Sequence, residues 1–286
     1  MPDLQVLVLP IFAACIALEA IFSTLRQRKL YALKDFAGSM SQLAMNILVK
    51  LAIEGTILAV HLTLYQYRVL DFNNTWATWL LTLLVLDFVF YFYHRASHRS
   101  RVFWAAHVVH HSSEYMNFGT ALRQSPTGPL TRMLFYWPLP LLGFDPIVIV
   151  SAGAVATIYG FWTHTEVVKR WWWPLEYLFV SPAHHRVHHA SNPQYIDKNY
   201  ANMLIIWDHL FGTFAEEKEQ PRYGLINNIK TFNPIKIAFH EWLALLRGMR
   251  DAGSPYEAWQ AFIMPPDWKK PRPCEPEQNY GATGSQ

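Results

Sequence analysis

Residues 76–98 read WATWLLTLLVLDFVFYFYHRASH. The stretch from Trp76 to Tyr93 is apolar with aromatic residues at both ends, the pattern of a helix that crosses a bilayer and leaves its rings at the two interfaces. Its one carboxylate, Asp87, precedes His94 by seven positions and so falls two helical turns back on the same face. His94 and His98 follow as an i, i+4 pair, with Arg95, Arg99 and Arg101 around them. Basic residues at the end of an apolar helix mark the cytoplasmic side. The helix is therefore expected to deliver two imidazoles to the cytoplasmic surface of a membrane.

The rest of the chain extends that reading. Of 286 residues, 52% are hydrophobic and 16% charged, whereas a soluble domain carries about 25% charged residues. The formal net charge is only +3 and the basic residues are scattered, which argues against a nucleic-acid partner and against a disordered chain. Leu4 to Leu25 is apolar apart from Glu19 and is followed by Arg26, Arg28, Lys29 and Lys34. It reads as a retained membrane helix with a cytoplasmic C-terminal end. Leu43 to Tyr65 would return the chain outward despite Lys50, Glu54 and His61. Leu130 to His164 holds two shorter apolar arms, joined at a turn where Asp145 precedes Pro146. The expected fold class is all-α: an integral membrane helical bundle of about four membrane helices or hairpin arms, bearing a cytoplasmic histidine-rich helical cap. A single domain spans 1–264, with the cap mainly 94–128 and 164–242, and the Pro-rich residues 265–286 form a loose tail.

Ten of the 13 histidines fall between His94 and His189. Besides the HRASH pair there are two HxxHH triplets, His107, His110, His111 and His185, His188, His189. On a helix, positions three and four apart share a face, while adjacent positions diverge by about 100°. His107 and His111 therefore suit one metal while His110 reaches a second, and the other triplet repeats the geometry. Eight clustered imidazoles exceed what one tetrahedral zinc uses, so the pattern points to a dinuclear centre with an all-imidazole shell. His164, two positions before Glu166, is a ninth candidate ligand. Cys15 and Cys274 lie far apart and offer no metal-binding spacing. His61, His209 and His240 stand alone and read as packing or surface residues.

Carboxylates near ligand imidazoles orient the rings through their free N–H groups. Asp87 and Glu166 are the expected partners, with Glu114, Asp208 and the adjacent ring of His184 as further candidates. Phe161 and Trp162, with Phe90, Tyr91, Phe92, Phe103 and Trp104, flank the ligands and could line an apolar substrate slot. Arg123, in NFGTALRQS, is a candidate contact for a lipid headgroup.

HRASH, HVVHH and HRVHH, in this order after apolar helices, resemble the fatty acid hydroxylase superfamily of membrane di-iron enzymes. The stretches WAAHVVHHSSEYMNFGTALRQS, FWTHTEVV and SPAHHRVHHASNPQYIDKNYANMLIIWDHLFGTF are similar to its branch acting on alkylglycerol ethers. The resemblance covers roughly Val85 to Trp242. It implies two iron ions held by His94, His98, His107, His110, His111, His185, His188 and His189, with His164 in a further shared motif. It also implies O2 as co-substrate and hydroxylation of a C–H bond in a membrane lipid. In the alkylglycerol branch the hydroxylated ether collapses to an aldehyde and a free glycerol derivative. The electron donor implied there is a tetrahydropterin. Arg99 stands where an acidic residue is familiar in that branch. No HPGG stretch occurs, so a separate donor is expected, of pterin, ferredoxin or cytochrome b5 type. Hydroxylation or desaturation of a sterol, carotenoid or acyl lipid is the alternative on the same centre. A non-catalytic haem or zinc carrier is the alternative of a different class. The sequence leaves the oligomeric state open.

Overall fold

The computed structural model describes residues 4–268, and its helices follow from where apolar length and capping residues coincide. The first, α1, is Leu4–Leu25. Next come α2, Leu33–Tyr65, and α3, Trp76–Arg99. Short helices α4 (Arg101–Ala105), α5 (Val108–His111) and α6 (Phe118–Ala121) carry the chain through the first triplet. Then follow α7 (Gly128–Tyr136), α8 (Pro138–Leu142) and α9 (Pro146–Trp162). The remainder comprises α10 (Trp173–Leu178), α11 (Pro182–His188), α12 (Ile206–Leu210), α13 (Pro234–Arg250) and α14 (Pro255–Ile263). Among the described residues there is no β-strand, only an isolated bridge between Ala190 and Tyr223.

Three helices, α1, α2 and α3, are long and apolar enough to cross a membrane. The apolar α9 is shorter, 17 residues or about 25 Å, and makes the second arm of the expected hairpin. The first arm is broken at Pro138, which cannot supply the N–H that would continue α7. Gly143 closes it at φ 105°, with the Leu70 carbonyl so near that any Cβ would lie 2.1 Å from it. Asp145 then caps α9 by accepting from the Ile147 and Val148 N–H groups. The arms pack on α3 through Leu86, Leu139, Phe144, Ile149 and Ala152, and Trp79 Nε1 donates to Ser151 Oγ.

Two boundaries differ from expectation, for physical reasons. The helix anticipated over 43–65 starts ten residues earlier, at Leu33. Its polar first turns persist because Asp35, Ser39 and Gln42 are buried against the histidine-rich region rather than exposed. The helix after Trp76 does not stop at Tyr93 but runs unbroken through both imidazoles of HRASH. Residues 269–286, most of the anticipated tail, and Cys274 lie outside the described residues.

Candidate metal centre

The candidate ligands are presented by four pieces of helix that meet at one end of α3. His94 and His98 lie one turn apart on α3, and His107 is the N-cap of α5 with His110 and His111 in its single turn. His164 follows the C-cap of α9, and His185 and His188 lie in α11 with His189 as its C-cap. Ser181 caps α11 by accepting from the His184 N–H, which fixes the rotation at which the second triplet points inward.

These nine imidazoles gather in two groups, within each of which one ring nitrogen per residue lies within 4.8 Å of the others: His94, His98, His107, His111 and His188, then His110, His164, His185 and His189. Each triplet divides as its spacing predicts, with the i, i+4 pair in one group and the intervening residue in the other. The groups are neighbours, for the ring of His111 stacks on that of His189 with centroids 4.4 Å apart.

The ring orientations show what the groups need. His94 Nδ1 lies 2.6 Å from the Tyr200 carbonyl, His188 Nδ1 3.0 Å from that of Lys198, and His164 Nδ1 2.7 Å from that of Gly160. A carbonyl only accepts, so each Nδ1 carries the proton and each Nε2 of a neutral ring is a bare lone pair. Those lone pairs face other nitrogens. His94 Nε2 is 2.9 Å from His107 Nε2, and His164 Nε2 is 2.9 Å from His185 Nε2 and 3.1 Å from His110 Nε2. The buried Nε2 atoms of His98 and His188 have no hydrogen-bond partner at all. Burial pushes the imidazoles of His107, His110, His111, His185 and His189 well below their ordinary range, and takes His188 to about 4 and His164 to about 3. Neutral imidazoles with convergent lone pairs are what a divalent transition metal accepts, so the donor set fits a pair of such ions.

The other expected partners act elsewhere. Asp87 touches no imidazole. Its carboxylate accepts from the Met203 and Leu204 N–H groups and from Trp207 Nε1, holding the loop whose Tyr200 carbonyl orients His94. It does share a face with His94, but its oxygens are taken by donors of the 203–207 stretch. Asp208, fully buried, grips the same loop through the Tyr200 and Ala201 N–H groups and Thr213 Oγ1. Glu166 is turned toward Tyr223, Arg186 and Arg28, and burial pushes its carboxyl up. It points away because the chain turns after His164. His184 stands outside both groups. Its Nδ1 accepts from the Ser181 N–H and its ring meets Phe214, so it completes the helix cap. Glu114 accepts from Asn228 at the surface.

The anticipated substrate contacts are also reassigned. Arg123, only 1% exposed, is buried in an ion pair with Asp35 of α2 and donates to the Val109 carbonyl and Ser112 Oγ. It clamps the first triplet to α2 and reaches no headgroup. Phe161 is sandwiched between Phe12 and Phe118, with centroids 3.8 and 4.8 Å away, which fills the space a slot would need. Trp162 is exposed and meets Phe118 edge-on. Of the flanking aromatics, Phe90 lies against His94, and Trp104 against His98 and His111.

One residue was not singled out for the site. Glu19 of α1 is buried and accepts from Tyr31 Oη, the Phe118 N–H and Thr165 Oγ1, tying α1 to the residue after His164. A lone carboxylate in an otherwise apolar helix is its sequence signal.

Residues 79–213 match the family described as fatty acid hydroxylase. The chain is 41% identical over 234 residues to the alkylglycerol monooxygenase of Danio rerio, covering 80% of this chain and 52% of that protein. It is 36% identical over 276 residues to the alkylglycerol monooxygenase of Homo sapiens, covering 95% of this chain and 61% of that protein. An ornithine lipid hydroxylase of Rhizobium tropici is 35% identical over 135 residues, 47% of this chain and 40% of that protein. The chain thus spans between about half and three-fifths of the length of these alkylglycerol monooxygenases. No solved structure matches it.

Proposed function

We propose, on the match of residues 79–213 to the fatty acid hydroxylase family, that the chain is a multi-pass membrane monooxygenase with a non-haem di-iron centre facing the cytoplasm, hydroxylating a C–H bond of a lipid. The alkylglycerol monooxygenases among its relatives favour the carbon next to an alkylglycerol ether as the target. The observation that carries the reading is the aim of the Nε2 lone pairs into two adjacent points.

His94, His98, His107, His111 and His188 would hold one iron, and His110, His164, His185 and His189 the other. Iron bound there supplies O2 activation, with electrons from an external donor of tetrahydropterin, ferredoxin or cytochrome b5 type. The chain's own task is to orient and to exclude water. The carbonyls of Tyr200, Lys198 and Gly160 fix the tautomers by accepting from Nδ1, and Asp87 and Asp208 keep the first of those carbonyls in place. Phe90 and Trp104 give the five-imidazole group an apolar wall, which keeps bulk water from competing with a lipid chain. The ornithine lipid hydroxylase among the relatives favours a second reading, hydroxylation of an aminolipid at the same centre.

Anaerobic purification with iron quantification, followed by turnover of alkylglycerols and ornithine lipids under labelled O2, tests both. Two irons per chain and label in an aldehyde derived from the ether support the first reading, and label retained in an intact aminolipid supports the second. Tightly held zinc with no O2 consumed by the iron-reconstituted protein refutes both.

A further inference from the structure

The α13–α14 hairpin takes no part in the metal centre, yet its outer surface is unusual for one in water. One face of α13 buries Ile237, Ala238 and Leu245. The opposite stripe presents Lys236, Leu243, Leu246 and Arg247 outward, Leu246 being 59% exposed. Its acidic residue, Glu241, is engaged by Arg101 Nε at 2.8 Å, so the outward charge of this stretch is positive. Trp259 of α14 is exposed as well.

Where the hairpin is fastened gives its depth. Gln42 Nε2 donates to the Pro234 carbonyl at the start of α13, and the Arg101 N–H donates to the Met264 carbonyl just past α14. Gln42 immediately precedes the apolar stretch 43–65 of α2, whose 23 residues measure about 34 Å against a hydrocarbon core of about 30 Å. Arg101 stands two positions beyond the end of α3. Both fastenings therefore lie where membrane-length helices leave the hydrocarbon, at the level of the headgroups. Exposed leucines there meet acyl chains, and a lysine and an arginine beside them meet phosphate.

We propose that α13 lies flat in the headgroup layer on the histidine side of the membrane, inserting Leu243 and Leu246 and binding anionic phospholipid through Lys236 and Arg247. The proposal rests on the membrane reading above. The partner is a lipid surface rather than a second copy because the hairpin is fastened at the ends of the membrane-length α2 and α3 and its outward stripe carries positive charge suited to an anionic leaflet.

The test uses the full chain in nanodiscs of mixed phosphatidylcholine and phosphatidylglycerol, with Cys15→Ser and Cys274→Ser. A fluorophore is attached at Leu246→Cys or, as a control, at Leu51→Cys on the exposed middle of α2. The 246 probe should be quenched more by lipid brominated near the headgroup than deep in the chain, and the 51 probe the reverse. Brominated phosphatidylglycerol should quench the 246 probe more than brominated phosphatidylcholine does, a preference lost in Lys236→Glu/Arg247→Glu. A 51 probe untouched by lipid overturns the membrane reading itself. A lipid-quenched 51 probe with a 246 probe reached only by aqueous iodide, or shielded from both quenchers by protein, overturns the placement of α13. Equal quenching by the two lipids overturns the anionic preference.

Discussion

The two imidazole groups are neighbours, but they are held by different kinds of backbone. In the five-membered group, His94 and His188 are oriented by carbonyls of the loop 198–200, and His98 and His107 are only partly buried. In the four-membered group every ring is buried, and His164 is oriented by the Gly160 carbonyl at the end of α9. The loop is the more demanding support. It needs left-handed backbone at Asp197 and Asn199, φ 62° and 54°, a region Asp and Asn tolerate better than most residues. Asp87 and Asp208 then hold it from below. One group thus has a fifth imidazole and a loop as its mount, and the other has four imidazoles and a helix end.

That contrast can be broken experimentally. His164→Ala removes one donor of four and leaves no substitute. Iron should fall from two to one per chain, and turnover should drop beyond the roughly 100-fold that loss of an orienting residue alone brings, as read by metal analysis and product formation. Asp208→Ala leaves all nine imidazoles in place but frees the loop. Iron affinity of the five-membered group alone should weaken about 10- to 100-fold, seen as one weakened and one unchanged step in a ferrous titration. Two equally weakened steps would show that the loop supports both groups.

Arg123→Met should act on stability and leave lipid selectivity intact. It strands Asp35 without its buried partner, a change that costs about 3–5 kcal/mol. Denaturation in detergent together with competition between lipid headgroups separates the two effects, and altered headgroup preference would restore a binding role to Arg123. Glu114→Gln, at the surface beside Asn228, should change stability by less than about 0.5 kcal/mol and leave both iron steps alone.

The site was legible in the sequence as far as helical periodicity reaches. The i, i+3, i+4 spacing of the triplets names both the candidate ligands and their partition, because angles of about 100° per residue hold wherever a turn of helix forms. His164 is visible only by its place at the end of an apolar arm, and it enters the second group from a separate helix. The carboxylates were misjudged for a common reason. Nearness in sequence to a ligand says that Asp87 and Glu166 are close to the site, but not which donor arrives between them and the rings. For Asp87 that donor is the 203–207 stretch, more than a hundred residues away. Arg123 resembled a surface cation because its partner, Asp35, comes from a different helix 88 residues earlier.

By itself the sequence determined the all-helical architecture, the three membrane-length segments and the two-way division of the imidazoles, since each depends on local length and periodicity. Tertiary structure alone decided which carbonyl sets each ring, that Arg123 is a clamp, that Glu19 ties α1 to the site and that α2 runs on into the histidine-rich region. A buried polar group must find a partner wherever the chain supplies one, and packing across long separations chooses it.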